Sequence, residues 1–173
     1  MYWYILHVQT GREYNVEELL RKRLDSNIFM PFIPLQESLF KIAGTVKKEL
    51  KPLFPGYVFV ESELSEQEFM KRTSNLIYAT HIIIRLLRYS DTEIALRECE
   101  RQMLLCLSND KYCIEPSSGI IKGDKIYITD GPLRGWESIV KKVNRHKRQA
   151  SIEIEFMGSL RLVSVSLEIM DKV

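Results

Sequence analysis

The segment GIIKGDKIYITDGPLRG, residues 119–135, constrains the fold more than any other part of the chain. A β-branched and aromatic run at residues 126–129 predicts a strand, and the tripeptide Asp-Gly-Pro (130–132) follows it directly. Asp tolerates left-handed backbone and bonds to its own main chain, Gly supplies a positive φ, and Pro fixes the next φ. Because Gly135 closes the turn and a second apolar run covers residues 138–143, the segment predicts a small β module.

A basic run, Lys141–Arg148, follows this module and carries five Lys or Arg side chains and no acid. The formal charge of the whole chain is only +2, but its distribution is uneven. Residues 1–107 carry 14 Lys and Arg against 14 Asp and Glu, whereas residues 120–173 carry 10 against 7. A small β module that holds the excess positive charge is typical of polyanion binding, and the neutral first part indicates a separate task.

Five short β segments are expected in the last third of the chain, at residues 124–129, 137–143, 149–156, 160–165 and 167–170. The alternation in SIEIEF, residues 151–156, is typical of a half-buried strand. The preceding stretch lacks a hydrophobic period and contains Asn, Asp, Pro and Ser, so residues 108–119 are predicted to form a flexible linker.

The first 107 residues combine helical and strand patterns. We expect a strand at Tyr2–Val8 and then a helix opened by a capping box of Thr10 and Glu13. A second helix is expected from Ser65 to about Thr73, and a third one opens at residues 90–93. Further strands are expected at residues 29–34, 37–42, 46–50, 57–63 and 80–87, with a hairpin tip at 43–45. This order predicts an α+β domain with helices on one face of an antiparallel sheet.

Composition argues against several protein classes. No apolar run approaches the roughly 18–20 residues that span a bilayer, and the first residues lack a signal-peptide pattern, so we expect a cytoplasmic protein with no membrane partner. Cys99, Cys106 and Cys113 are too few for a disulfide framework and are predicted to be buried structural thiols. The three histidines are scattered, and no phosphate-binding glycine motif or metal-ligand spacing is present. We therefore expect no enzyme, no cofactor and no metal.

Several motifs, taken in order, resemble the NusG family of transcription factors. The Asp-Gly-Pro turn with its flanking strands resembles the family's KOW motif, and FPGYVFV, residues 54–60, resembles the central strand of its N-terminal domain. Trp3-Tyr4 followed by Gly11 resembles the start of that domain. The resemblance implies an α+β N-terminal domain over residues 1–107, an antiparallel sheet with helices of the NusG N-terminal type. The linker joins it to a small all-β SH3-like KOW barrel over 120–173.

The aromatic residues of FPGYVFV have two possible roles. Tyr57 and Phe59 share one face of their strand because side chains alternate, and the valines that follow each of them occupy the other face. With helices on only one side of the sheet, these aromatic side chains form either core or an exposed partner site. The resemblance implies the partner site, in which Tyr57 and Phe59, with Tyr4 and Phe54, dock on the clamp helices of RNA polymerase. His7 replaces an aromatic residue that a specialised family member has at this position.

A second set of residues falls, by resemblance, in loops that face upstream DNA, with residues 72–75 in the loop between a helix and a strand. This set is Arg12, Arg72, Thr73, Ser74 and Asn75. Alternatively, Arg72 is a charge at a helix C-terminus that the helix dipole favours.

The basic run is either a solvated charge cluster or a phosphate-binding surface. Trp136 either stacks on an unpaired base or covers the core of the barrel. The candidate RNA-binding residues are the basic run and its neighbours: Lys125, Arg134, Trp136, Lys141, Lys142, Arg145, His146, Lys147 and Arg148.

Two departures from the family pattern favour a specialised paralogue. Ser138 stands where the barrel of the family usually has a second glycine, and the charged loop is more basic than usual. The chain resembles the LoaP type in particular, which implies processive antitermination by a monomer, with a leader RNA hairpin as partner. The alternative is a general NusG-like elongation or termination factor whose KOW domain docks a termination factor or ribosomal protein, with no RNA preference.

Overall fold

The computed structural model describes residues 1–173, which divide into two compact units. The first unit comprises residues 1–34 and 54–101, and the second comprises residues 35–53 and 102–173. This division differs from the expected boundaries at residues 107 and 120. Residues 35–53 group with the C-terminal part because their strand pairs with residues 113–114 and bonds to Ser166. No helix of the chain is both long and apolar enough to cross a membrane.

The regular elements follow one another through the whole chain. In order they are β1 (Tyr2–Val8), α1 (Glu13–Arg23), β2 (Phe29–Phe32), β3 (Leu35–Ile42), β4 (Thr45–Pro52), β5 (Tyr57–Ser62), α2 (Glu66–Ala79), β6 (Ile83–Leu86), α3 (Glu98–Leu107), β7 (Cys113–Ile114), β8 (Ser117–Lys122), β9 (Lys125–Asp130), β10 (Val140–Asn144), β11 (Gln149–Phe156) and β12 (Ser159–Lys172). A short 3₁₀ turn at Glu137–Ile139 precedes β10. The predicted limits of β1 are confirmed.

The first unit is built on a four-stranded antiparallel sheet in the order β2-β5-β1-β6. One face packs on helices, because the ring of Tyr4 stacks on Phe69 of α2 with centroids 3.7 Å apart. The opposite face holds Trp3, Phe32 and Phe59, whose ring centroids lie 5.0 to 6.0 Å apart. Both faces of the central strands are therefore buried, as their apolar sequences require.

The start of α1 is fixed by the buried carboxylate of Glu13, which accepts the N–H of Gly56 at 2.7 Å and the N–H of Gly11 at 3.2 Å. The predicted capping box is wrong, because the N-cap is Arg12 and no side chain caps it. Glu13, which the sequence predicts to cap its own helix, instead binds α1 to the turn before β5.

The helix α2 begins as predicted, with Ser65 Oγ accepting the N–H of Glu68. It runs on to Ala79, however, and does not end near Thr73. The Thr73 hydroxyl is buried and donates to the carbonyl of Phe69 at 2.7 Å, which accommodates a polar residue within the helix. The predicted loop at residues 72–75 is therefore helical.

The expected third helix begins later than residues 90–93. The hydroxyl of Ser90 accepts the N–H groups of Thr92 and Glu93, which closes a turn. Leu96 then donates its N–H to the carbonyl of Trp3 at 2.7 Å, so this stretch extends along β1 before α3 starts at Glu98. A local side-chain turn and a backbone hydrogen bond to β1 replace the first helical turns.

The prediction of three buried thiols is wrong for two of them. Cys113 is buried in β7, but Cys99 and Cys106 are exposed on α3. Their spacing does place them on one face of the helix, but Leu104 and Leu107 occupy the buried face.

The second unit contains a five-stranded sheet in the order β10-β11-β12-β8-β9. The inward side chains of β11, Ile152, Ile154 and Phe156, are buried at alternate positions, as predicted from SIEIEF. The expected strands at 160–165 and 167–170 form one strand, β12, which pairs antiparallel with β11 and parallel with β8. Parallel pairing with β12 also recruits residues 117–122, so the end of the predicted linker is a strand.

The hairpin of β3 and β4 also belongs to the second unit. Its predicted tip is confirmed, since Ala43 and Gly44 form the turn with φ values of 51° and 80°. The hydroxyl of Ser166 on β12 accepts the N–H of Leu39 at 3.2 Å and donates to the carbonyl of Glu37 at 2.6 Å. One buried serine thus binds the backbone edge of β3.

We predict that two glycines of the Asp-Gly-Pro turn differ in their tolerance of a methyl group. Both glycines have a positive φ, which is +95° at Gly131 and +84° at Gly135. A Cβ added at Gly131 would lie only 2.6 Å from the Cα of Ser117. A Cβ added at Gly135 would have no other atom within 4 Å. Gly135→Ala should cost about 1 kcal/mol, and Gly131→Ala about 3 kcal/mol or more because backbone must also move. Hydrogen exchange of the β11 amides measures both values, and equal losses would contradict the steric argument.

Candidate functional site

The sheet face that holds Trp3, Phe32 and Phe59 is accessible at one end. There it presents a row of three side chains across β5, β1 and β6. Tyr57 lies opposite His7, and His7 lies opposite Arg85 in the strand register. The rings of Tyr57 and His7 stack with centroids 5.0 Å apart and planes 19° apart. Tyr57 and His7 are half-buried and Arg85 is exposed. The row therefore offers a stacked aromatic pair beside a cation.

The predicted aromatic patch is otherwise not exposed. Phe54 and Phe59 are buried and stack with centroids 5.9 Å apart. Tyr4 is buried on the other face, where its hydroxyl donates to the carbonyl of Leu64 at 2.6 Å. Burial raises the pKa of Tyr4 above its ordinary value, so the hydroxyl stays a protonated donor. The sequence predicts exposure because helices are expected on only one face of the sheet. The start of α3 lies over the other face, however, with the Arg101 guanidinium 5.4 Å from the Trp3 ring centroid.

The residues expected to face DNA do not form one cluster. Arg12 is exposed at the start of α1, and Arg72 is exposed on α2, where it lies 3.9 Å from Glu68. Thr73 is buried, Ser74 is half-buried and Asn75 is exposed.

A groove of about 300 Å³ between α2 and β6 includes Ser74 in its lining. Three basic side chains that sequence reasoning did not select, His81, Arg85 and Arg88, line the same groove. They lie beside Ser74 because α2 packs against β6, a tertiary contact that no local pattern reports.

The basic run forms the end of β10 and the turn into β11. Lys142, Arg145, His146 and Lys147 are exposed. Asn144 Oδ1 accepts the N–H of Lys147 at 3.0 Å, and this bond orders the turn. These four side chains, which we call the basic loop, extend into solvent without a carboxylate within ion-pair distance.

The two outer members of the basic run have local partners. Arg148 Nε lies 3.2 Å from Glu168 Oε1, and its backbone adopts a φ of 50°. Lys141 Nζ lies 3.9 Å from Glu153 and 3.3 Å from the carbonyl of Ser138. Arg148 thus has a structural role in ending the turn, while Lys141 retains an exposed and loosely paired ammonium.

The remaining candidates lie away from the basic loop. Lys125 on β9 and Arg134 in the turn are exposed, and Trp136 is half-buried at the start of the 3₁₀ turn. The Glu137 carboxylate accepts its own backbone N–H and that of Ile128, which lowers its pKa and keeps it charged. This acid lines the same groove as Lys125 and offsets the positive charge there.

Comparison with known proteins gives the class of the chain. The family model described as "Transcription termination factor nusG" matches residues 1–105. This match covers more than half of the chain and identifies its class, which is that of the NusG-type transcription elongation and termination factors. The chain belongs to the NusG family.

Three curated relatives are transcription termination/antitermination proteins NusG. The one from Thermus thermophilus is 24% identical over 166 residues, with 90% of each chain covered. The one from Pseudomonas aeruginosa is 23% identical, covering 99% of this chain and 98% of its own. The one from Staphylococcus epidermidis is 25% identical, covering 98% and 94%. A solved chain of the MjSpt4:Spt5 complex aligns over 95% of this chain at 20% identity, but its TM-score of 0.33 is too low to show a common arrangement.

We predict that Phe59 and Tyr57 respond differently to the same substitution. Phe59→Ser removes a ring from the core and should destabilise the first unit by about 3–5 kcal/mol. Tyr57→Ser removes a half-exposed ring and should cost about 1 kcal/mol. Urea unfolding followed by hydrogen exchange in β5 measures the difference, and similar values would show that Phe59 is not a core residue.

Proposed function

We propose that this chain is a specialised processive antiterminator of the LoaP type. In this proposal it binds RNA polymerase through its first unit and a leader RNA hairpin through the basic loop of its second unit. The observation that carries the proposal is the loop itself: four exposed basic or imidazole side chains with no carboxylate within ion-pair distance. Family membership supports the polymerase partner, because NusG-type factors act on transcribing polymerase.

The row of Tyr57, His7 and Arg85 is our proposed contact for the clamp helices of polymerase. A stacked aromatic pair supplies apolar area at low entropic cost, and Arg supplies a charged contact at its rim. Phe54 and Phe59 support the row from within the core, and Tyr4 holds the opposite face on α2. These three buried residues therefore act by positioning, and a polar substitution at them would disturb the fold first.

The proposed RNA contact is electrostatic. Each phosphate that a Lys or Arg neutralises releases counterions, so affinity should fall steeply with salt. Lys142, Arg145 and Lys147 supply three full charges on one short turn, and His146 lies among them. Lys141, Arg148, Lys125 and Arg134 are secondary candidates, and Trp136 offers one half-exposed face for stacking.

Contact with upstream DNA remains a proposal for four residues of the first unit. Arg12, Arg72, Ser74 and Asn75 retain some exposure, whereas the hydroxyl of Thr73 is committed to the helix backbone. Their separation on α1 and α2 favours scattered phosphate contacts over the reading of bases.

The rival function is a general factor whose C-terminal sheet docks proteins. One observation favours it: Leu160 and Leu162 on β12 are 65% and 60% exposed, and Glu155 and Glu153 lie opposite them on β11. Adjacent exposed leucines beside acids are typical of a protein contact. This surface and the basic loop are different places, so their roles can be separated.

We predict that neutralising the basic loop abolishes salt-dependent RNA binding. The variant Lys142→Gln/Arg145→Gln/Lys147→Gln should lower affinity for a hairpin from the leader of a neighbouring operon. It should also reduce the salt slope by about 2–3, since three phosphate contacts are lost. The matched control removes three charges from the first unit, with Lys22→Gln/Lys71→Gln/Arg88→Gln. If both variants bind the hairpin equally, measured by gel shift at several salt concentrations, RNA binding by this loop is refuted.

We also predict that the exposed row binds polymerase. His7→Ala/Tyr57→Ser should weaken binding of the full chain to elongation complexes by about tenfold, as expected for a small hot spot. Tyr14→Ser is the control, because Tyr14 on α1 is 53% exposed and lies outside the row. Interferometry on immobilised complexes provides the measurement, and equal binding by variant and control would place the contact elsewhere.

A further inference from the structure

The β3–β4 hairpin lies beside the basic loop within the second unit. Ser166, which holds the edge of β3, lies opposite Gln149, the first residue of β11 after the basic loop. The next residue of β12, Leu167, donates its N–H to the carbonyl of Arg148 at 3.0 Å. The end of the loop and the hairpin therefore meet at two consecutive residues of one strand.

The outer strand of the hairpin is exposed and rich in lysine. From Thr45 to Lys51 every residue of β4 is exposed, and the strand pairs only with β3. Lys48 lies opposite Leu39, the residue whose N–H binds Ser166. Its ammonium is 3.8 Å from Glu37, a loose pair at an exposed site, and Lys47 makes no ion pair.

We propose that Lys48 of β4 and the basic loop form one composite RNA-binding surface, with Ser166 holding its two parts in place. Lys48 shares the hairpin face of Leu39 and supplies the hairpin part, whereas Lys47 points to the opposite face because side chains alternate along a strand. Lys142, Arg145 and Lys147 supply the loop part, and β3, β12 and β11 separate the two parts by a few strand widths of about 5 Å each. A short RNA stem presents several phosphates over such a distance, and modules that bind double-stranded RNA contact about 16 base pairs.

This inference rests on RNA binding by the basic loop and extends it to a part of the chain far away in sequence. Lysines on an edge strand also oppose edge-to-edge association between molecules. That role alone would leave RNA affinity unchanged when the lysines are neutralised, so the two roles give different results.

The test uses the full chain and an RNA hairpin with a stem of about 16 base pairs, the length given above. Lys48→Gln should lower affinity about threefold and reduce the salt slope by about 1. Lys47→Gln removes the same charge from the opposite face of β4 and should change the slope little. Unchanged binding by Lys48→Gln would overturn the proposal, while loss of binding in the basic-loop variant would still support the loop as the RNA site.

Ser166→Ala tests the composite surface without removing a charge. Because it removes the hydrogen bonds between β12 and β3, this variant should show the same lower salt slope as the Lys48→Gln variant. A chain that carries both changes should lose no more RNA affinity than either variant alone. Ser164→Ala, an exposed serine two residues earlier on β12, is the control. Full additivity, or wild-type binding by Ser166→Ala, would show that the two parts act independently. If the β11 amides of Ser166→Ala exchange faster than those of the wild-type chain, this variant disturbs the fold of the second unit. The Lys48→Gln variant alone then tests the composite surface.

Discussion

The constraint on which the first unit depends is that its central strands, β1 and β5, are apolar on both faces. One face requires α1 and α2, and Tyr4 on Phe69 is the contact that joins the sheet to α2. The other face requires a second cover, and the chain after β6 supplies it by following β1 and then starting α3 over Trp3. The cover leaves accessible the end of the face that carries Tyr57 and His7. A partner that docks there meets a small surface on a rigid support.

In the second unit, the long strand β12 has the comparable role. It pairs with β11 on one side and β8 on the other, and its Ser166 holds the hairpin. The Asp-Gly-Pro turn brings its backbone against Ser117, which only glycine at position 131 permits. With the strands fixed, the turn after β10 presents its charges outward, and Glu168, which lines the same groove as Arg145 and His146, is paired with Arg148. Rigid strands and a short ordered turn reduce the entropy lost when a polyanion binds.

Much of this fold is predictable from local pattern, because turn chemistry and alternation act over a few residues. The strand β1, the cap at Ser65, the hairpin tip at Ala43 and the core of β11 follow from such signals. The errors arise where tertiary contacts override local preference. Thr73 has the appearance of a loop residue, yet its hydroxyl bonds within the helix.

The site was predictable in part. The exposed charges of the basic loop follow from an acid-free sequence, and the placement of Tyr57 follows from strand alternation. Burial of Phe59 depends on its packing against Trp3, Phe32 and Phe54, and Arg85 joins the row only through the pairing of β6 with β1. The bond between Ser166 and β3 joins residues more than 120 positions apart, and no local motif reports it.

Ultraviolet crosslinking of the full chain within an elongation complex, with a leader hairpin on the emerging RNA, tests the central claim most directly. Peptides identified by mass spectrometry should place the RNA crosslinks in residues 141–148. RNA crosslinks confined to residues 1–34 and 54–101, with none in the basic loop, would contradict the assignment of RNA to the second unit.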